Sequence, residues 1–82
     1  MLNNQMLDLP LAHLDMQQLF EYTGTSLTYH GVAKPGTATS AAGWQIKKYT
    51  YDGNGNILTL KFAAGTNDYV AVWDNRASYT YS

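Results

Sequence analysis

Residues 44–63 read WQIKKYTYDGNGNILTLKFA, and the alternation in this stretch decides the fold. Trp44 and Ile46 flank Gln45 as one face of a strand alternates with the other. The Lys47-Lys48 pair then breaks the period and moves the bulky stripe to Tyr49 and Tyr51. A bulge or an edge placement would produce such a change of face. DGNGN at 52–56 supplies Asp, Asn and Gly, the residues that tolerate positive φ in hairpin loops. Residues 57–63 return as a partner strand, with Leu58, Leu60 and Phe62 on one face and Ile57, Thr59 and Lys61 on the other. The expectation is a β-hairpin.

On either side of the hairpin the chain divides into short β-like pieces. Residues 25–32 alternate Ser26, Thr28, His30 and Val32 against Leu27, Tyr29 and Gly31, a strand whose inner face the pattern does not select. Between it and the hairpin, a loop from Lys34 to Gly43 places Pro35-Gly36 at the centre of a type II turn. A structureless loop of this length in a small domain suggests contact with something else. Downstream, AAGTND at 63–68 reads as a second turn, 69–73 (YVAVW) as another alternating strand or a short aromatic-rich segment, Asp74-Asn75 as a turn or bend, and 76–82 as a closing strand with Ala77, Tyr79 and Tyr81 on one face. The pattern predicts an all-β domain at 23–82: a small antiparallel sheet, barrel or sandwich of about four to five strands.

Residues 1–22 have a different texture. Leu2, Met6, Leu9, Leu11, Leu14, Met16, Leu19 and Phe20 supply aliphatic and aromatic bulk without Gly or β-branched residues. Asp8 capping a turn at Pro10, followed by Leu11, Leu14 and Leu19 at loosely helical spacing, suits a short helix; an extended arm suits the composition equally. Either form needs a surface to pack against, the chain's own sheet or a partner subunit. The segment has no basic n-region and carries Asp8 and Asp15, so it makes a poor signal peptide. No run is long enough for a spanning helix, so membrane insertion is not expected.

Composition narrows the function classes. The 82 residues contain no cysteine, so neither a disulfide nor a Cys-based zinc site supports the thin core of so short a domain. A net charge of -1, with only 13% charged residues, removes the electrostatic basis for nucleic-acid binding. His13 and His30 match no metal-ligand spacing, and Asp52 and Asp68 sit in separate turns. The 52–56 loop begins like a calcium loop but has Ile57 at its sixth position and Ala63 at its twelfth, where Gly and Glu belong. No cofactor or catalytic group is expected. A hydrolytic or metal enzyme would require a pocket joining His30 to aspartates. Trp44 and Trp73 suit core volume, whereas seven tyrosines suit packed rings with hydroxyls turned to a partner, a glycan or water.

From Tyr29 onward the chain resembles small proteins encoded among the structural genes of tailed bacteriophages and prophages. The resemblance lies in AKPGT-x-TS-A at 33–42, WQIKKY at 44–49, the YDGNGN turn and WDNRASY at 73–79, about two thirds of the chain. It implies a non-enzymatic virion component, made in the host bacterial cytoplasm, that assembles in capsid decoration, neck or tail with copies of itself and other virion proteins. A local stretch, YTYDGNGN at 49–56, is similar to the YD repeat of Rhs-type shell proteins, some of which are associated with carbohydrate. Those proteins use many tandem copies, and this chain has one. The interface candidates are Leu9, Leu11, Leu14, Leu19, Phe20, Tyr29, Pro35, Tyr49, Tyr51, Tyr79 and Tyr81. The alternative is a host-facing glycan-binding module that uses surface Tyr or Trp side chains.

Overall fold

The computed structural model describes residues 15–82. Four main strands, β1 (Gln17–Thr23), β2 (Ser26–Ala33), β3 (Ala42–Tyr51) and β4 (Ile57–Phe62), follow one another across an antiparallel sheet in chain order. A two-residue strand, β5 (Ala71–Val72), pairs with the start of β3 and leads into a 3-10 helix at Trp73–Ser78. Among the described residues β1 and β4 are the outer strands and do not pair with each other, so the fold is an open sheet with a short helix.

The hairpin at 44–63 forms as its alternation predicts. Asp52 organises its turn: the Asp52 carbonyl accepts the Gly55 amide, and one carboxylate oxygen accepts the amides of Asn54 and Asn56 at 2.8 and 2.9 Å. These bonds hold the Asp52 carboxyl below its ordinary range. At Pro35-Gly36 the Thr37 amide bonds to the Lys34 carbonyl and Gly36 takes φ +86°, the type II arrangement expected there.

Four local expectations are corrected. Helical spacing over residues 15–22 gives way to β1, because Gly24 at φ +64° closes a two-residue turn that folds Gln17–Thr23 back onto β2. Leu19 and Phe20 are therefore sheet residues, and the rest of the expected arm, with Leu9, Leu11 and Leu14, lies outside the described residues. Lys47-Lys48 is neither a bulge nor an edge. β3 is central, and both lysines keep regular register with β2 and β4; the bulge of the hairpin falls at Thr50/Tyr51. The strand expected at 69–73 contracts to Ala71–Val72, and the expected closing strand at 76–82 begins as the 3-10 helix. Only the last residues recover sheet geometry, through an Ala63–Tyr81 bridge and two bonds between Phe62 and Ser82.

The register shows why the alternation of β3 changes at the lysines. Directly opposed residues share a sheet face. One face therefore carries Leu19 and Glu21 from β1, Tyr29, Gly31 and Ala33 from β2, Trp44, Ile46, Lys48 and Thr50 from β3, and Thr59 and Lys61 from β4. The 3-10 helix and the residues after it cover part of this face. Trp44 and Ile46 are buried beneath them with Trp73 and Ala63, whereas Lys48 and Thr50 lie toward the open end. The Trp44 and Trp73 rings meet at 5.9 Å in a tilted arrangement. A Cβ on Gly31 would lie 2.5 Å from the Trp73 indole, so a residue without a side chain is what lets the covering layer approach. Arg76 fastens that layer: its guanidinium stacks 4.5 Å from the Trp73 ring centroid, donates to the Trp73 carbonyl and pairs with Glu21.

Candidate functional site

The covered face ends in a cleft of about 290 Å³ lined by Lys48, Thr50, Thr59, Lys61, Tyr79 and Tyr81. Hairpin register builds its floor. Lys48 opposes Lys61 and Thr50 opposes Thr59 across β3 and β4, with the two threonine hydroxyls hydrogen-bonded to each other. The segment after the 3-10 helix forms the wall. The Tyr79 hydroxyl accepts the Val72 amide at 2.8 Å, and the Tyr81 hydroxyl donates to the Arg76 carbonyl at 2.7 Å, so both rings are held by their polar ends.

The electrostatics of the cleft are cationic. The Lys48 ammonium lies 5.8 Å from the ring centroids of both Tyr29 and Tyr81, within reach of the attraction between a cation and an aromatic face. The ion pair found among the described residues, Arg76 with Glu21, involves neither cleft lysine. Burial, then the neighbouring phenols of Tyr29 and Tyr79, push the Tyr81 hydroxyl well above the usual phenol range, so it stays a neutral donor.

The opposite face holds a separate polar group. Phe20 stacks on His30 with ring centroids 4.6 Å apart and planes 9° from parallel. His30 Nε2 lies 2.9 Å from Gln18 Oε1, and Lys47 Nζ lies 3.4 Å from His30 Nδ1. An ammonium only donates, so Nδ1 accepts and Nε2–H donates to Gln18. Lys47 is only 8% exposed, and burial lowers its pKa. His30 thus belongs to the face away from the cleft, and Asp52 is committed to its turn. Neither residue lines the cleft between the hairpin and Tyr79–Tyr81.

The sequence-selected residues fall in different places. Tyr79 and Tyr81 line the cleft, and Tyr29 stands beside it, 5.7 Å from Tyr81. Leu19 packs against the core on the same face. Phe20, 52% exposed, and Tyr49 lie on the other face, while the Tyr51 hydroxyl donates to the Leu27 carbonyl at 2.6 Å. Pro35 is exposed in its turn. The loop around it is held by its own chain: Trp44 Nε1 donates to the Ala38 carbonyl at 3.0 Å, and the Asp74 amide bonds to the Thr39 carbonyl. Lys48, Thr50, Thr59 and Lys61 were not singled out by composition, although pairing the strands across the DGNGN turn places them opposite one another. Comparison with protein-family models, curated proteins and solved structures gives no match.

Proposed function

We propose that the chain is a non-enzymatic structural component of a bacteriophage particle, acting in capsid decoration, neck or tail assembly through contacts with copies of itself and with other particle proteins. The observation that carries this reading is the outer edge of β4. Ile57, Leu58 and Leu60 are 60%, 63% and 45% exposed there. Ser82 pairs with Phe62 on the side of β4 away from β3 and leaves the edge at Leu60 without a described partner. An aliphatic edge with unpaired backbone groups is a template for strand addition, and soluble proteins usually blunt such edges with charge or proline. β4 carries one charge, Lys61, and no proline. The resemblance to phage structural proteins supplies the biological setting.

Light scattering on the purified full chain tests this reading, together with co-sedimentation on particles lacking the protein. Wild type is expected to self-associate or bind particles, and Leu60→Lys to lose that association while keeping its fold. A stable monomer that binds no particle protein would overturn the proposal. The cleft favours the second reading, saccharide binding, because it combines fixed aromatic rings with hydroxyls and cations in one concavity.

A further inference from the structure

We infer that the cleft between the β3–β4 hairpin and Tyr79–Tyr81 binds an acidic sugar, a saccharide unit bearing a carboxylate, with Lys48 and Lys61 on the carboxylate. The inference rests on the saccharide reading of the cleft and is independent of the assembly role.

Its first support is the opposition of two lysines. Lys48 and Lys61 are register partners on adjacent strands and line the same cleft. Like charges directly opposed across a sheet are destabilising. Here neither is paired with a carboxylate among the described residues. Such an arrangement costs stability in the empty protein and is relieved by an anion between the two ammoniums, the usual trade-off of a binding site.

The surroundings select the kind of anion. Tyr79 and Tyr81 have their hydroxyls engaged by Val72 and Arg76, so their rings are rigid apolar surface suited to the C–H face of a sugar ring. The Thr50–Thr59 pair spends one hydrogen on its mutual bond, leaving one hydroxyl hydrogen and several lone pairs for sugar hydroxyls. The volume, about 290 Å³, accepts a single ring rather than a long ligand. A nucleic acid would need a longer basic groove than two lysines make. A bare phosphate would leave the aromatic wall unused.

Titration of the isotope-labelled full chain with sodium glucuronate, glucose and sodium phosphate at constant ionic strength, followed by amide NMR, tests the proposal. Glucuronate is expected to shift the amides of Lys48, Thr50, Thr59, Lys61, Tyr79 and Tyr81 saturably, with glucose and phosphate each weaker by about tenfold or more. The double variant Lys48→Gln/Lys61→Gln is expected to lose glucuronate binding by a similar factor and to melt at or above the wild-type temperature. A merely structural role for the lysines would lower that temperature instead. Equal binding of glucose and glucuronate would overturn the acidic ligand and leave the saccharide reading standing. Equal binding of phosphate would reduce the cleft to a simple anion site. No response to any of the three would overturn both the inference and the saccharide reading, with the light-scattering result unaffected.

Discussion

Trp73 sits directly over Gly31 where the covering layer meets the sheet, and one methyl group is enough to test that packing. Because a Cβ at position 31 would fall 2.5 Å from the indole, Gly31→Ala must displace Trp73 or bend β2. Overpacking of this kind costs about 1–3 kcal/mol, which lowers the melting temperature of a domain this small by roughly 5–20 °C. Thermal denaturation followed by tryptophan fluorescence would show it, and an unchanged midpoint would contradict the packing described. Asp52 gives a pH-dependent test. Its carboxyl is held below the ordinary value of 3.8 by the turn amides. Above that value both the folded and the unfolded chain are ionised and the contribution is complete. As pH falls below it the unfolded chain takes up the proton first, and the contribution disappears on passing the folded value. Asp52→Asn should therefore melt below wild type at neutral pH, with the gap closing as the pH falls below the lowered folded value; a gap independent of pH would show that the charge does not matter. Asp52 was legible as a turn residue from DGNGN alone. Gly31 was not, since its partner is 42 residues away and no local pattern announces a long-range approach.

At the level of elements, the hairpin was readable because its alternation and its turn agree. The outer pieces were harder for identifiable reasons. β1 contains Gln17, Gln18, Leu19 and Phe20, which satisfy a loose helical spacing as readily as a strand; the decision is made by Gly24-Thr25, a two-residue turn that pairs Thr23 with Ser26. At the other end Ala77, Tyr79 and Tyr81 alternate like a strand. The chain nevertheless turns through a 3-10 helix because Trp73 must enter the core while Arg76 reaches Glu21. The cleft lay within reach of the sequence through hairpin register, but its tyrosine wall depends on that helix. Two substitutions test these connections. Arg76→Ala removes the ion pair and the stacking on Trp73 and should cost about 1 kcal/mol or somewhat more; urea denaturation would measure it, and no loss would refute the clasp. Trp44→Phe removes the Nε1 bond to Ala38 and should speed hydrogen exchange at the Thr37 and Ala41 amides, which belong to the loop that Trp44 holds. Unchanged exchange there would mean that the loop is ordered by other contacts.

At the scale of the molecule, the described residues make one sheet with a partial covering layer over its Trp44 face, and a domain this small leaves more apolar surface in water than a larger one would. The buried hydrophobics among the described residues are few: Val32, Trp44, Ile46 and Trp73 with three alanines, joined by half-buried Leu19 and tyrosines. Ile57, Leu58 and Leu60 remain outside this group on the outer strand. That exposure was not legible from the sequence, which treats an aliphatic alternation as buried; only the strand order places β4 at the rim. The low charge noted in the sequence fits the same picture, since little repulsion opposes close packing of like subunits. Among the described residues no helix is long and apolar enough to cross a membrane. Cryo-electron microscopy of the phage particle to which the proposed role would assign this chain is the most direct test of that role. The expected result is density for the 15–82 sheet at a regularly repeated position, with the outer edge of β4 against backbone or side chains of a neighbouring subunit. Particles lacking that density, or carrying it with β4 turned to solvent in every copy, would contradict the role proposed for this chain.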